Sequence, residues 1–338
     1  MVLLIISGHT TEIQQRLRNK TLSYHIIKTH LSFPIRLMRF LEVTIMHKAG
    51  FVNIVGNPNV GKSTLMNQLV GEKLSIATFK AQTTRHRIMG IVNTDDSQIV
   101  FSDTPGVLKP NYKMQEMMLQ FSESALADAD ILLYVTDVVE DPEKNMDFLE
   151  KVSKMTIPVI LLINKIDESD QKKLGDLVGR WHKLLPNAEI LPISAKNKFG
   201  TDILMKRIHE LLPDSPAFFD KDQLTDKPAR FFVSEIIREK ILRYYDKEVP
   251  YSVEVVVERF KEDDRQIHIN AIIYVERSSQ KGIIIGHQGM ALKKVSTEAR
   301  KSLERFFDKK VFLETFVKVD KDWRNSQKEL NNFGYNPE

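Results

Sequence analysis

Gly56-Asn57-Pro58-Asn59-Val60-Gly61-Lys62-Ser63-Thr64 places two glycines, a lysine and a hydroxyl at the spacing that cradles a polyphosphate. Glycines let the backbone curl so that successive N–H groups point inward, and a following helix adds partial positive charge at its first turn. Lys62 would reach the outer phosphates and the Ser63 hydroxyl would hold Mg²⁺. The flanks suit this chemistry: the apolar run 51–55 reads as a buried parallel strand, and 62–70 carries apolar residues at helical spacing.

Three further short motifs follow apolar runs. Asp103-Thr104-Pro105-Gly106-Val107 offers a carboxylate that can hold Mg²⁺ through water and a glycine amide for a terminal phosphate. Asn164-Lys165-Ile166-Asp167 supplies a carboxylate that pairs with the ring N–H and exocyclic amine of guanine; against adenine it would be left unpaired. Ser194-Ala195-Lys196 has backbone N–H groups for the guanine carbonyl oxygen. Between the first helix and the second strand, the polar stretch Phe79-Lys80-Ala81-Gln82-Thr83-Thr84-Arg85-His86-Arg87 reads as a switch segment. Its Thr84, directly before Arg85 and preferred to Thr83, would join Mg²⁺ only when a third phosphate is present. His86 reads as a surface or packing residue and not as a base.

These motifs need a framework, and the pattern supplies one. Strand-like runs at 51–55, 88–92, 98–102, 131–137, 158–163 and 189–193 alternate with helical stretches near 62–70, 114–127, 142–154, 170–184 and 201–212. That alternation predicts a mostly parallel sheet with helices on both faces and ligands at the carboxyl ends of the strands. Met114, Met117 and Met118 fall at helical spacing and read as packing residues. A Pro/Asp-containing linker, 214–228, leads to an α+β segment with a helix near 232–245, strands at 252–260 and 266–275, a helix near 290–306 and a strand near 311–319. Within it, Gly286-His287-Gln288-Gly289 lets backbone approach a single-stranded nucleic acid, with Lys281, Lys293, Lys294 and Arg300 placed for phosphate contacts. Trp181 and Trp323 have no evident partners in the sequence, and 323–338 reads as a loose polar tail.

The ordered set of motifs resembles the bacterial Era GTPases from Met46 to about Asp322. The resemblance implies a P-loop GTPase domain with a mostly parallel sheet over 46–213, followed by an α+β type II KH domain over 229–322. It also implies GTP hydrolysis with Mg²⁺, in which Lys62, Thr84 and Gly106 act on the phosphates. Small-subunit ribosomal RNA and the small ribosomal subunit become the expected partners, with the nucleotide state modulating RNA binding by a monomer. A cytoplasmic location with peripheral association with the inner face of the cell membrane rests on the resemblance alone. Two departures matter. Val107 stands where Ras-like proteins carry a catalytic Gln, so no side chain there orients water and slow intrinsic hydrolysis is expected. His287-Gln288 replaces the basic pair many KH loops carry.

Composition sets outer bounds. The 338 residues have room for two cores, no apolar run approaches a membrane-spanning length, and the absence of cysteine excludes disulfides and thiolate metal sites. Residues 1–45 hold six basic residues against Glu12 and Glu42, which accounts for the whole net charge of +4. This arm fits a translation start placed upstream of a true initiator at Met46, or a targeting segment, or an arm for nucleic acid or membrane. Three rival readings stay open: a P-loop kinase or ATPase, an RNA-binding adaptor whose nucleotide is structural, and an organellar form with 1–45 as transit peptide.

Overall fold

The computed structural model describes residues 47–336; the readings of the N-terminal arm fall outside them. Six strands, β1 (Lys48–Gly56), β2 (Ile88–Asn93), β3 (Ser97–Asp103), β4 (Ile131–Asp137), β5 (Val159–Asn164) and β6 (Glu189–Pro192), form one sheet in the order β2-β3-β1-β4-β5-β6. Only β2 among them runs antiparallel, joined to β3 by a short turn. Consecutive side chains on a strand face opposite ways, so the near-continuous apolar runs feed two cores. Ile54, Leu133 and Leu162 pack with α1 (Lys62–Val70) and α5 (Thr201–Leu211). Val55, Leu132 and Leu161 pack with α2 (Lys113–Ala127), α3 (Met146–Ser153) and α4 (Gln171–Leu184). Trp181 finds its partner here, against Tyr134.

The helix expected over 142–154 begins four residues late. The Lys144 amide closes a turn onto the Asp141 carbonyl across Pro142, which postpones the first helical turn to Met146. The stretch between the two sheets is tied down along its length: Gln98 accepts from the Phe218 and Phe219 amides, and Thr225 bridges to Gly90.

The second sheet is β7-β8-β9, from β7 (Val253–Glu262), β8 (Gln266–Val275) and β9 (Lys310–Val319). One face carries α6 (Ala229–Tyr244), α7 (Ser278–Ile285) and α8 (Met290–Phe307), whose Ile237, Ile241, Ile284, Val295 and Leu303 close a separate core.

The tail departs from expectation. A 3₁₀ turn at Trp323–Asn325 and α9 (Gln327–Asn332) lay Trp323, Leu330 and Tyr335 against Met114, Met117, Met118 and Phe121 of α2, and all seven are buried. The segment is polar on average because its anchors are widely spaced, yet burying them stabilises it by several kcal/mol at about 25 cal/mol per Å². Trp323 also donates its indole N–H to the Ser252 carbonyl at 3.2 Å.

Candidate functional site

The glycine loop leaves β1 and enters α1 at Gly61, whose φ of +97° no L-residue adopts cheaply; a Cβ there would lie 2.2 Å from the Asn164 amide nitrogen. No side chain caps α1 and no acid sits in its first turn, so its free N–H groups face outward as an anion site. Lys62 bends back to donate to the Gly56 and Asn57 carbonyls at 3.0 and 2.8 Å, which holds the loop in its curl. Pro58, Gly61, Lys62, Ser63, Thr84 and Gly106 are among the residues lining a cleft of about 220 Å³ beside it.

Ser63, Thr84 and Asp103 converge although 40 residues separate the first from the last. Ser63 Oγ lies 2.8 Å from Thr84 Oγ1 and donates to Asp103 Oδ2 at 2.7 Å; Thr84 Oγ1 donates to the same oxygen at 3.2 Å. Asp103 Oδ1 is buried with no hydrogen-bond partner among the described residues. Two hydroxyls and a carboxylate with one unsatisfied oxygen are the oxygen donor set of a hard divalent cation, so the residues fit Mg²⁺. Burial is the largest influence on both charged neighbours: it draws Lys62 down to about 8 against the pull of Asp103 and Glu140, and it raises Asp103. A polyphosphate and a divalent cation each supply the opposite charge that favours the ionised forms.

Gly106 abuts the loop, where a Cβ would meet Pro58 at 2.7 Å. Its neighbours have structural tasks: Thr104 donates to the Ile54 carbonyl at 2.8 Å, and the Val107 amide donates to the Gly56 carbonyl at 3.1 Å. The Val107 side chain is buried in the α2–α4 core and presents nothing polar to the cleft.

At the opposite end, Asn164 spends its side chain on the protein. Its Nδ2 donates to the Val60 carbonyl at 2.8 Å and its Oδ1 accepts from the Ala195 amide at 2.9 Å, which fastens the glycine loop to the 194–196 loop. Lys165, at φ +60°, repeats the tie by donating to the Asn59 carbonyl (2.7 Å) and to Asp137 (2.6 Å). Asp167 is exposed in a 3₁₀ turn, and Ser194 Oγ donates to its Oδ1 at 2.6 Å, fixing the carboxylate plane. Lys196 is exposed at the rim. Sequence reading missed Asp137, which also caps the Val139 and Glu140 amides; its place at the carboxyl end of β4 was the available signal. It missed Asn145 too, whose amide reaches Asn57 and the Val107 carbonyl.

In the second sheet's layer, α7 ends at Gly286 (φ +70°) and α8 begins after Gly289 (φ +76°), with His287 and Gln288 exposed between them. A Cβ on Gly286 would strike Ala291 at 2.6 Å, whereas nothing lies within 4 Å of one on Gly289. Lys293 and Lys294 are exposed near the start of α8; Lys294 lies 4.4 Å from the Tyr244 ring centroid. Lys281 is half-buried on α7. Arg300 is half-buried on α8 and pairs with Glu304 at 2.9 Å one turn on.

The switch segment is where the two layers meet. Arg85 is fully buried and donates to the Val253, Pro250 and Tyr251 carbonyls at 2.6, 3.2 and 3.3 Å and to Glu254 at 3.2 Å. Burial pulls its pKa down, but Tyr335 and Glu254 outweigh burial and raise it. Arg238 of α6, forked onto Glu235, reaches the Gln82 and Thr83 carbonyls. His86 is half-buried among Phe121, Phe231 and Tyr335, and desolvation first, then nearby cations, draws it down to about 3, so it is a neutral packing residue.

Known proteins share this arrangement. Residues 51–165 match the family model described as 50S ribosome-binding GTPase, and residues 248–324 match the KH domain. GTPase Era of Clostridium kluyveri is 44% identical over 292 residues, 86% of this chain and all of its own length. GTPase Era of Geobacter sp. (strain M21) is 46% identical over 290 residues, 85% of this chain and 98% of its own. A crystal structure of Era with MgGDPNP and nucleotides 1506–1542 of 16S ribosomal RNA superposes with a TM-score of 0.82 at 38% identity, over 86% of this chain and 99% of its own. A variant of Aquifex aeolicus Era bound to GDP·AlF4⁻ gives the same score and identity over 85% and 99%. A GTPase domain followed by a KH domain thus matches over nearly the full length of these relatives, and the chain belongs to the Era family of GTP-hydrolysing enzymes.

Proposed function

We propose that this GTPase times the handling of small-subunit ribosomal RNA during assembly of the small ribosomal subunit and maturation of its rRNA. The observation that carries the reading is the grip on the switch segment. Arg238 holds the backbone just before Thr84, and Arg85, just after it, is sunk in the KH layer. Thr84 meets Ser63 and Asp103 between those two anchors. A threonine that is ordered by a third phosphate therefore cannot move without pulling on the KH layer.

In this reading Lys62 and the amides of the glycine loop bind the phosphates, and the Gly106 amide faces the terminal one. Ser63, Thr84 and, through water, Asp103 would hold Mg²⁺, which supplies positive charge to the β- and γ-phosphates when bound. Asp167 reads the base, held by Ser194. The family relative solved with 16S rRNA nucleotides supports RNA of that class as the partner, taken up along Gly286-His287-Gln288-Gly289 and Lys281, Lys293 and Lys294, with Arg300 a weaker contributor. No helix among the described residues is long and apolar enough to cross a membrane; a monomer working in the cytoplasm, with peripheral contact at the inner membrane face, completes the proposal.

Titrating one fragment of the 3′ end of small-subunit rRNA against protein loaded with GDPNP, with GDP, or left without nucleotide tests the timing. Affinity should differ several-fold between the first two; identical affinity in all three would favour the adaptor reading, in which nucleotide is structural. Gly289→Asp separates the functions. A Cβ there meets no neighbour within 4 Å, and aspartate is among the few side chains that enter the left-handed region at modest cost, while its charge would face the RNA phosphates. RNA affinity should fall about tenfold or more, with GTP affinity unchanged; equal loss of both would count against separate sites.

A further inference from the structure

Tyr335 lies 251 positions from Thr84 in the chain, yet it packs on His86 and shares with Arg85 the carboxylate of Glu254. Its hydroxyl donates to Glu254 Oε2 at 2.8 Å, the same oxygen that accepts from Arg85 at 3.2 Å. Its ring lies against His86, centroids 4.4 Å apart and planes inclined at 37°. The side chain is wholly buried. The position is itself fixed: the Tyr335 amide donates to the Leu330 carbonyl at 2.9 Å, Gly334 turns the chain at φ +83°, and Leu330 and Trp323 seat the segment on α2.

We infer that Tyr335 is a positioning residue of the nucleotide site, acting through Glu254, Arg85 and His86 to hold Thr84 beside Ser63 and Asp103. The chemistry is that of a braced carboxylate. Arg85 and Glu254 are both buried, so a carboxylate oxygen left short of donors would weaken their pairing. The tyrosine hydroxyl supplies one of those bonds and aims Oε2 at the guanidinium, while the ring closes the other side of the segment at His86. A threonine held in place before the triphosphate arrives loses less conformational entropy when it binds. The brace therefore favours the triphosphate state over the diphosphate state, in which Thr84 has no phosphate-dependent role. The inference rests on the reading of Thr84 given above and extends it to the far end of the chain.

The test uses the full chain and three variants: Tyr335→Phe, Glu254→Gln and Thr84→Ala. Affinities for GDPNP and GDP are measured by calorimetry with magnesium present, together with kcat and KM for GTP and the thermal midpoint. Tyr335→Phe keeps the ring on His86 and removes only the hydroxyl. It should weaken GDPNP roughly threefold to tenfold, the worth of one buried hydrogen bond, while GDP affinity stays within about twofold. Glu254→Gln should shift the ratio in the same direction, since it keeps the shape and loses the charge. kcat should fall with the GDPNP affinity. A merely structural tyrosine would lower the thermal midpoint and move both nucleotides equally, and that result overturns the inference. So does a Tyr335→Phe protein with an unchanged ratio when Thr84→Ala lowers GDPNP affinity. If Thr84→Ala leaves GDPNP affinity intact, the reading of Thr84 fails first and the brace falls with it.

Discussion

Asp167→Asn is expected to lower GTP affinity by roughly 10²–10⁴-fold and to raise xanthosine triphosphate above GTP as a substrate. In the proposed reading the parent carboxylate would accept from the ring N–H and the exocyclic amine of guanine, two charge-assisted bonds worth about 1.5–3 kcal/mol each. An asparagine in its place offers one acceptor and one donor, which clashes with the amine and suits the carbonyl that xanthine carries at that position. Ser194 determines which way the amide turns: its Oγ donates to Asp167 Oδ1 at 2.6 Å, so the variant's oxygen keeps that place and the NH₂ takes the other. Asp167 is exposed, so the substitution should leave the fold's stability within about 0.5 kcal/mol. The measurement is kcat/KM for GTP, XTP and ATP with parent and variant. Loss of GTP without gain of XTP would mean that the 164–167 loop had shifted, and an ATP preference in the parent would remove the guanine assignment altogether.

What was legible in the sequence is what depends on local order. The glycine loop, Asp103, Asn164 to Asp167 and Ser194 to Lys196 each follow an apolar run, and parallel strands bring their carboxyl ends to one edge, so position along the chain translated into position in the cleft. The pairing tasks inside that cleft were not legible. Asn164 and Lys165 are tied to the glycine loop across more than 100 residues, and Asp137 looked like an ordinary strand end. The tail misled for a related reason: Trp323, Leu330 and Tyr335 are separated by seven and then five positions, and the step of five together with the break after the 3₁₀ turn leaves no sustained helical period. Arg85 read as one cation in a polar loop, since nothing nearby in sequence indicates that its partners lie more than 160 residues on.

That arginine carries the second large effect. Arg85→Ala should cost about 3–5 kcal/mol of stability, because Glu254 is left as a buried charge without its partner and three carbonyls lose their donor. Loss of stability alone would say little about nucleotide control, so the informative protein is Arg85→Ala combined with Glu254→Gln. Neutralising the stranded carboxylate should recover part of the stability, read as the thermal midpoint, while the mechanical tie between the switch segment and β7 stays cut. Its affinity for the rRNA fragment should then be the same with GDPNP as with GDP, where the parent is expected to distinguish them several-fold. Arg85→Lys provides the intermediate case: an ammonium can reach one or two of the acceptors but lacks the planar fork that spans Glu254 and the carbonyls of Pro250 to Val253. A double variant that recovers stability and still distinguishes the two nucleotides would place the coupling elsewhere, with Arg238 and the Gln82 and Thr83 carbonyls as the remaining route.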